Sequence, residues 1–377
     1  MRSRTALVAV VLVAAGIYGA TAAAPPGPGA SGSASGTPAP SQLIEPGTEG
    51  DYVWPYTSRR RSVAGRTLAL NVVVHGDSER IRRALVDRSG ANWSAVDESA
   101  AVSVSPWRPA HGSTRYTYVT QSRTATGRWV AADYQLDAGT YFGRRTHARA
   151  YAGPAGDWTA FQAHTEYWDW FRVRHTVTGV ATGARFVERD LRDEPFVAEI
   201  SRTYHGRRGG GSDGWWTVVR LTSLTSVAGL AVPLTTRRRS VREVLLPGAL
   251  ICVVLGVRAW GLGAEALFPG VTPKLFVALG YPVLAAGPPL LVGALARERP
   301  PARAALLAAV GLGAGVTLDL AVLGIRHVPV RLVLHRVALL AALGALAFGT
   351  AREDRRLVGV AVGSWLAVLA APLLGVP

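Results

Sequence analysis

Three histidines and two carboxylates cluster in the middle of the sequence: His147, His164, Glu166, Asp169 and His175. Alternate side chains of an extended strand project from one face, so His164 and Glu166 share a face if this run is a strand. Imidazole and carboxylate groups bind divalent metals such as zinc, and catalytic zinc sites use three protein ligands. One hypothesis is therefore a metal site with His147, His164 and His175 as ligands and Glu166 or Asp169 as the catalytic base.

The same residues also fit a structural role, because buried histidines commonly hydrogen-bond to carboxylates or backbone groups on a polar sheet face. No HExxH motif, which would place two histidines on one helix face, occurs in the chain. We prefer the structural interpretation at this point, and whether the chain is an enzyme stays open. Two catalytic signatures are excluded: no GK[ST] follows the glycines at 209–211, and no GxSxG stands between a strand and a helix.

A second set of polar residues, separate from the histidine cluster, lies in apolar surroundings near the C-terminus. Asp319 is the one carboxylate inside a strongly apolar run, and a charged group within a membrane is costly enough to suggest a function. His335 and Arg336, in the following segment, are its predicted partners. A transport or proton-relay role is one hypothesis, and contact of Asp319 with headgroups near the end of its span is the other.

The C-terminal region, 236–377, predicts an all-α membrane domain. A helix needs about 20 apolar residues to cross a bilayer. The apolar runs predict about five spans, near 244–263, 275–296, 304–325, 330–350 and 357–375. The first and fourth runs are shorter than the others before a charge interrupts them.

Residues 43–235 predict a soluble α+β domain with a mainly antiparallel sheet. Strand-like runs rich in β-branched and aromatic residues recur at 68–74, 115–120, 129–136, 145–151, 158–167 and 215–222. One helix is predicted after the cap Asp77 or Ser78, with Ile81, Ala84 and Leu85 on its buried face. A second is predicted over 182–192, and the glycine-rich run 206–214 is predicted to be a loop. The aromatic run from Tyr167 to Phe171 is predicted to be core, with a ligand groove or lipid contact as the alternative.

The N-terminus predicts export. Arg2 and Arg4 precede an apolar run that ends in small residues, so residues 1–24 are interpreted as a signal peptide or a signal anchor. Residues 25–42 are rich in Pro, Gly, Ser and Ala and are interpreted as a tether.

The net charge of +16 comes almost wholly from arginine, since Lys274 is the only lysine. The basic residues of the C-terminal region lie mostly between apolar runs, where they act as topology signals, and no nucleic-acid-binding motif accompanies them. A nucleic-acid partner is therefore not expected. The single cysteine, Cys252, excludes a disulfide framework.

Two topology signals disagree about the side on which the soluble domain lies. If the domain and the start of the first span share a side, ten arginines of the membrane region lie with the domain, against seven basic residues opposite it including Arg2 and Arg4. The positive-inside rule then places the domain in the cytoplasm. The export signal places it outside, and we favour the extracytoplasmic side.

Two stretches of the soluble domain resemble the LssY C-terminal-like domain family. LNVVVHGDSERIRRALVDRSGANW at 70–93 is similar to the opening strand, turn and helix of that family. RRTHARAY at 144–151, with residues 158–191, is similar to its His-Arg strand, Trp strand and closing helix. Thr146 departs from the doubled histidine often found before the arginine. The resemblance implies a membrane-associated protein without implying a reaction.

These observations leave three functional hypotheses for a multi-pass protein of the cell membrane. The first is an exported sensor, binding or interaction module with a protein or lipid partner. The alternative is a metal-assisted hydrolase at the membrane surface, and the second alternative is a small-solute or lipid transporter that uses Asp319. The lipid bilayer is the partner common to all three.

Overall fold

The structure of the chain is a computed structural model that describes residues 38–47, 50–57, 68–96, 116–192, 194, 196–209, 211–221, 241–325 and 328–373. The predicted signal segment 1–24 and most of the predicted tether lie outside the described residues.

An eight-stranded sheet forms the centre of the N-terminal domain, in the order β10-β11-β2-β8-β7-β6-β3, with β9 also paired to β8. Its pairs are antiparallel except that between β11 and β2, which is parallel. The prediction of an α+β domain with a mainly antiparallel sheet is therefore confirmed. Its strands are β2 (Val72–His75), β3 (Ser94–Ala95), β6 (Tyr134–Gly139), β7 (Arg144–Ala152), β8 (Trp158–Asp169), β9 (Arg174–Gly179), β10 (Val197–Gly209) and β11 (Ser212–Leu221).

Two helices pack on one face of this sheet. α1 (Ser78–Arg88) begins where the Asp77 carboxylate accepts a hydrogen bond from the Arg80 backbone N–H at 2.9 Å. Its buried residues are Ile81, Ala84 and Leu85, as the periodicity predicts. α2 (Val180–Arg192) begins two residues before the predicted start. Both helices share an apolar core with the sheet.

The other face of the sheet is divided between an apolar half and a polar half. The apolar half is covered by a small sheet in the order β1-β4-β5, with β1 (Tyr52–Val53), β4 (Tyr116–Thr120) and β5 (Arg128–Ala131). The run 129–136, predicted as one strand, is thus split between β5 and β6 in different sheets. The polar half carries the candidate functional residues.

The glycine-rich run 206–214 is predicted to be a loop, and this prediction is wrong. The run forms the end of a β-hairpin. β10 runs to Gly209 and β11 begins at Ser212. Gly209 and Gly211, on the two sides of the turn, have φ of 113° and 82°, values that favour glycine. β10 was not predicted because it is mostly exposed and has no apolar alternation.

The C-terminal domain is a bundle of five helices. They are α3 (Val241–Leu267), α4 (Pro273–Leu295), α5 (Pro301–Val322), α6 (Val330–Ala351) and α7 (Arg355–Ala370). The first four are long and apolar enough to cross a membrane, and α7 has 16 residues. The chain is therefore an integral membrane protein with an all-α membrane block. α6 is the central helix, since 72% of its most apolar stretch is buried, against at most 33% in α3, α4 and α5.

The N-terminal domain is seated on the end of the bundle where α3 ends and α4 begins, which we call the domain-facing end. The turn between β6 and β7 and the turn between β8 and β9 share one apolar core with the helices. Trp170 lies against Gly261 and Gly280, where an added Cβ would come within 2.6 Å and 3.2 Å of its ring. The aromatic run is therefore core. The charge count assumes that the domain lies beside the start of α3, but the domain packs at the opposite end of the bundle. We call the end of the bundle where α3 begins the far end.

Candidate functional site

The polar half of the sheet face holds three rows of paired side chains on β6, β7 and β8. We call these residues, with His175 on β9, the polar ladder. Strand register places Asp137 beside His147 and His147 beside His164. The row farther from the membrane helices contains Gln135, Arg149 and Gln162, and the nearer row contains Arg145 and Glu166.

Arg145 lies between the two carboxylates of the ladder. Its Nε donates to Glu166 Oε1 at 2.7 Å, and its Nη1 donates to Asp137 Oδ2. Asp137 Oδ1 lies 2.6 Å from His147 Nδ1, and Glu166 Oε2 lies 3.1 Å from His164 Nε2. Each carboxylate therefore binds one guanidinium and one imidazole.

The outer row continues this network away from the membrane helices. His164 Nδ1 lies 2.8 Å from Gln162 Nε2 and 3.2 Å from Gln162 Oε1, while His164 Nε2 faces the Glu166 carboxylate. Arg149 Nε donates to Gln135 Oε1 at 3.0 Å, and the same oxygen lies 3.1 Å from His147 Nε2. The ladder is a connected network of charged and polar groups, in which His147, Gln162, His164 and Glu166 are buried and the other members are partly buried.

Burial and neighbouring charge set the protonation of the ladder. Burial raises the pKa of Glu166, but the hydrogen bond from His164 and the charge of Arg145 outweigh it and hold that pKa well below its usual range. Burial lowers the pKa of His164, and burial lowers the pKa of His175 to about 4. At neutral pH His164 and His175 are therefore uncharged and Glu166 is ionised.

The predicted ligand set is only partly brought together. The rings of His147 and His164 lie 5.2 Å apart. His175 instead turns its Nε2 to the carbonyl of Tyr141 at 2.9 Å, and its Nδ1 accepts from Arg145 at 3.4 Å. Glu166 is within the ladder, whereas Asp169 lies apart from it.

Among the described residues, the three that could hold a metal ion are Asp137, His147 and Glu166, whose donor atoms all lie within 4.8 Å of one another. Asp137 was missed from the sequence. It stands two residues after Gln135 on the strand before His147, and the glycines Gly139 and Gly143 mark the turn that pairs the two strands. That hairpin signal could have found it. The metal assignment stays a prediction.

Asp169, predicted as a base, is bound to the membrane helices. Its Oδ1 accepts from Arg336 Nη2 of α6 and from the backbone N–H of Phe171 at 3.1 Å. The Arg336 guanidinium also lies 4.5 Å from the centre of the Phe171 ring. His335, the neighbour of Arg336, contacts the carbonyl of Val368 on α7 at 3.1 Å. These residues join the β8–β9 turn to α6.

Asp319 is bound to a different partner from the predicted ones. Arg258 of α3 donates to both of its oxygens, at 2.7 Å and 2.8 Å. His335 and Arg336 are instead occupied elsewhere. The remaining donors of Arg258 bind the carbonyls of Phe142 and of Trp168, the latter at 2.9 Å. One arginine therefore joins α3, α5 and both turns of the soluble domain.

Comparisons with protein-family models, with curated proteins and with solved structures give no match. The likeness to the LssY C-terminal-like family accordingly stays a prediction. Two groups of residues are the candidates for function: the polar ladder and the set that joins the domain to the helices. We call the second set, made of Asp169, Arg258, Asp319 and Arg336, the coupling interface.

The ladder predicts that folding stability depends on pH in the mildly acidic range. The pKa of His175 is about 4 in the folded protein against an ordinary value of 6.5. The unfolded chain therefore binds more protons between these values, so stability present above pH 6.5 is lost as the pH falls towards 4. In thermal unfolding of the full chain, His175→Gln should flatten this dependence. Val177→Ala, on the same strand and without a titrating group, should leave the slope of stability against pH unchanged. An unchanged slope in His175→Gln would contradict the assignment of the pH dependence to His175.

Proposed function

We propose that this protein is a membrane-embedded sensor whose soluble domain binds a ligand and passes the change to the helix bundle. The observation that carries the proposal is the coupling interface. Arg258 and Arg336 reach from two different helices into two different turns of the domain. A domain that was only anchored to the membrane would need no such contacts.

The energetics of the interface support tight coupling. Removing two charges from water costs several kcal/mol per ion, and that cost is offset only when each charge keeps its partners. Separation of domain and bundle would leave Asp169 and part of Arg258 without theirs. Glu265 of α3 adds to the contact, because it accepts from the backbone N–H groups of Tyr141 and Phe142 at 2.6 Å and 3.0 Å. Charged groups therefore link the domain to the helices at both turns.

The polar ladder lies on the strands that lead into this interface. β7 starts at the turn bound by Arg258 and Glu265, and β8 ends at Asp169. Glu166 and Trp168 lie two and four residues after His164 on β8. A change at His164 would therefore reach the coupling interface through them. Coupling between distant sites can be carried by a contiguous chain of packed groups that has two arrangements, and the proposal requires a second arrangement of these residues.

A pocket of about 310 Å³ between α2 and the β10–β11 hairpin is the candidate ligand site. Its lining includes Arg185, Arg202, Glu188, Asp213 and Trp215, and Arg202 is already paired with Glu188, so the pocket suits a small ligand with a charged part and an aromatic or apolar part. Asn71 lies at its wall and is buried. Its side chain binds both the backbone of Ala163 on β8 and the carbonyl of Val180 on α2. The pocket is therefore connected to the same strand that carries the ladder.

The coupling is testable without knowing the ligand. We expect His164→Gln to change hydrogen–deuterium exchange in the bundle, at residues 254–262 and 332–339, in the full chain held in nanodiscs. Tyr134→Phe is the matched control, since it removes one hydrogen bond, to the carbonyl of Ser78, on the helix-covered face of the same sheet. It should leave exchange in the bundle unchanged. If both variants alter only the soluble domain, the sensor proposal fails.

The position of the domain supports an extracytoplasmic location for it. Among the described residues, seven basic residues lie at the far end of the bundle: Arg242, Arg297, Arg299, Arg303, Arg352, Arg355 and Arg356. Four lie at the domain-facing end, namely Arg258, Lys274, Arg331 and Arg336, and of these Arg258 and Arg336 are paired with aspartates. The positive-inside rule therefore favours a cytoplasmic far end, in agreement with the export signal. Residues 222–240, between β11 and α3, lie outside the described residues.

This orientation gives a clear labelling result. In a Cys252→Ser background, Thr203→Cys on the exposed β10 strand should react in intact cells with a maleimide that does not cross membranes. Glu298→Cys, in the turn between α4 and α5, should react only after permeabilisation. Both positions are exposed to solvent or headgroups. The reverse pattern would place the soluble domain in the cytoplasm.

A metal-assisted hydrolase is the second candidate, and the donor set Asp137, His147 and Glu166 is the observation that favours it. Against it, Arg145 already supplies a positive charge to both carboxylates. Elemental analysis of the purified full chain separates the two. About one equivalent of metal, lost in a folded His147→Ala variant, would favour the hydrolase. The transport hypothesis stays a prediction, and because Asp319 is bound to Arg258 a transport role would have to use this ion pair.

A further inference from the structure

A large groove lies on the membrane block, far from the ladder and independent of the function proposed above. It has a volume of about 1110 Å³ and runs between α4 and α7, with α6 as its floor. This exceeds the range of about 300–1,000 Å³ that is usual for ligand pockets. Pro282 and Trp365 line its inner part, where the Trp365 indole donates to the carbonyl of Ala285 at 2.8 Å. That bond ties α7 to α4.

The lining of the groove changes from apolar to charged along its length. Leu290, Leu346 and Leu366 are among the apolar residues of the inner part. Arg297 and Arg355, together with Glu353, line its end at the far end of the bundle. Both arginines are exposed. The charged groups thus stand where lipid headgroups lie, and the apolar groups where acyl chains lie.

We propose that this groove is a binding site for an anionic phospholipid of the far-end leaflet. Its phosphate would lie between Arg297 and Arg355, and an acyl chain would lie along α4. Residues 282–295 of α4 extend for about 20 Å at the helical rise of 1.5 Å per residue. One leaflet contributes about 15 Å of hydrocarbon. The groove is therefore long enough for the chain of a lipid whose headgroup stays at the surface.

Small residues of α4 create the width of the groove. Ala285, Ala286 and Gly293 all line it, and a Cβ at Gly293 would meet no heavy atom within 4 Å. The space beside Gly293 therefore belongs to the groove and not to packing within the bundle. The two arginines at its mouth, Arg297 and Arg355, favour an anionic lipid over a transmembrane helix of a second copy, because such a helix would bring no phosphate to the headgroup level.

The test compares lipid binding by four variants of the full chain in a zwitterionic detergent. The probe is phosphatidylglycerol, with phosphatidylcholine and inorganic phosphate as comparisons. The variant Arg297→Gln/Arg355→Gln should bind phosphatidylglycerol about thirtyfold more weakly, since each of the two basic residues near an anionic lipid contributes about 1 kcal/mol. Gly293→Leu should weaken it similarly by filling the groove. Arg356→Gln and Gly359→Leu are matched controls that do not line the groove, and each should retain wild-type affinity.

Three results would overturn the proposal. The first is equal affinity for phosphatidylglycerol and phosphatidylcholine. The second is competition by inorganic phosphate, which would indicate an anion site without an acyl chain. The third is a change of oligomeric state in Gly293→Leu without a change in lipid binding, which would show that a second copy covers the groove. Weaker binding in the two groove variants alone, with unaltered unfolding temperatures in detergent, supports it.

Discussion

Replacing Arg258 with glutamine should cost about 3–5 kcal/mol of the free energy of unfolding, as expected when one partner of a buried ion pair is removed. Arg258 is 3% exposed and binds Asp319 through two hydrogen bonds. The shorter side chain would leave the Asp319 carboxylate without its positive partner and would withdraw a donor from the carbonyls of Phe142 and Trp168. Denaturant unfolding of the full chain in bicelles measures this cost.

A double variant separates the ion pair from the other contacts of Arg258. Arg258→Gln/Asp319→Asn removes both charges, so most of the loss should be recovered. The part that is not recovered reports the two backbone carbonyls. Lys274→Gln is the control, because it removes a basic residue near the same end of the bundle outside the coupling interface. Additive costs in the double variant would show that the pair is not coupled.

The elements of both domains could be predicted from local sequence, whereas their partners could not. α1 followed from its cap and from the spacing of Ile81, Ala84 and Leu85, and the membrane helices followed from long uncharged runs. These signals span one or two helical turns. The pairing of Arg258 with Asp319 joins residues 61 positions apart on different helices, and it depends on how α3 packs against α5.

The ladder shows the same limit at shorter range. Alternation along β8 was enough to place His164 and Glu166 on one face. It could not show that Asp137 of β6 stands opposite His147, because register is set by the hairpin and not by either strand alone. His175 illustrates the converse. It lies on the strand next to β8, but opposite Trp168, and is therefore one row away from the carboxylates that a metal would need.

One assumption behind the charge count was wrong for a physical reason as well. The count assumed that a domain lies on the side from which the next span begins. Docking of the domain depends instead on complementary surfaces, and the aromatic turns fit the end of the bundle where Gly261 and Gly280 leave space for Trp170. Those glycines gave no signal in the sequence, because glycine is common in membrane helices.

Arg145 is the position where the structural and the catalytic interpretations of the ladder predict different results. The structural interpretation makes its guanidinium the cation of a site that Asp137, His147 and Glu166 surround. Arg145→Gln should then cost about 3–5 kcal/mol, because two buried carboxylates lose their shared partner. Arg145→Gln would also leave the three possible metal donors, on Asp137, His147 and Glu166, without a competing cation. A metal that binds only the folded chain adds about 2.7 kcal/mol at a hundredfold excess over its Kd.

We therefore expect zinc to raise the unfolding temperature of Arg145→Gln and to leave that of the wild type unchanged, with reversal by a chelator. Arg149→Gln is the matched control, because on the ladder Arg149 donates to the amide oxygens of Gln135 and Gln162. It should cost about 2 kcal/mol, as for two hydrogen bonds, and gain nothing from zinc. The opposite pattern, in which the wild type is stabilised by zinc and Arg145→Gln is not, would mean that Arg145 supports a metal ion already bound beside it. The ladder would then be a catalytic centre, and the hydrolase would replace the sensor as the better account of this protein.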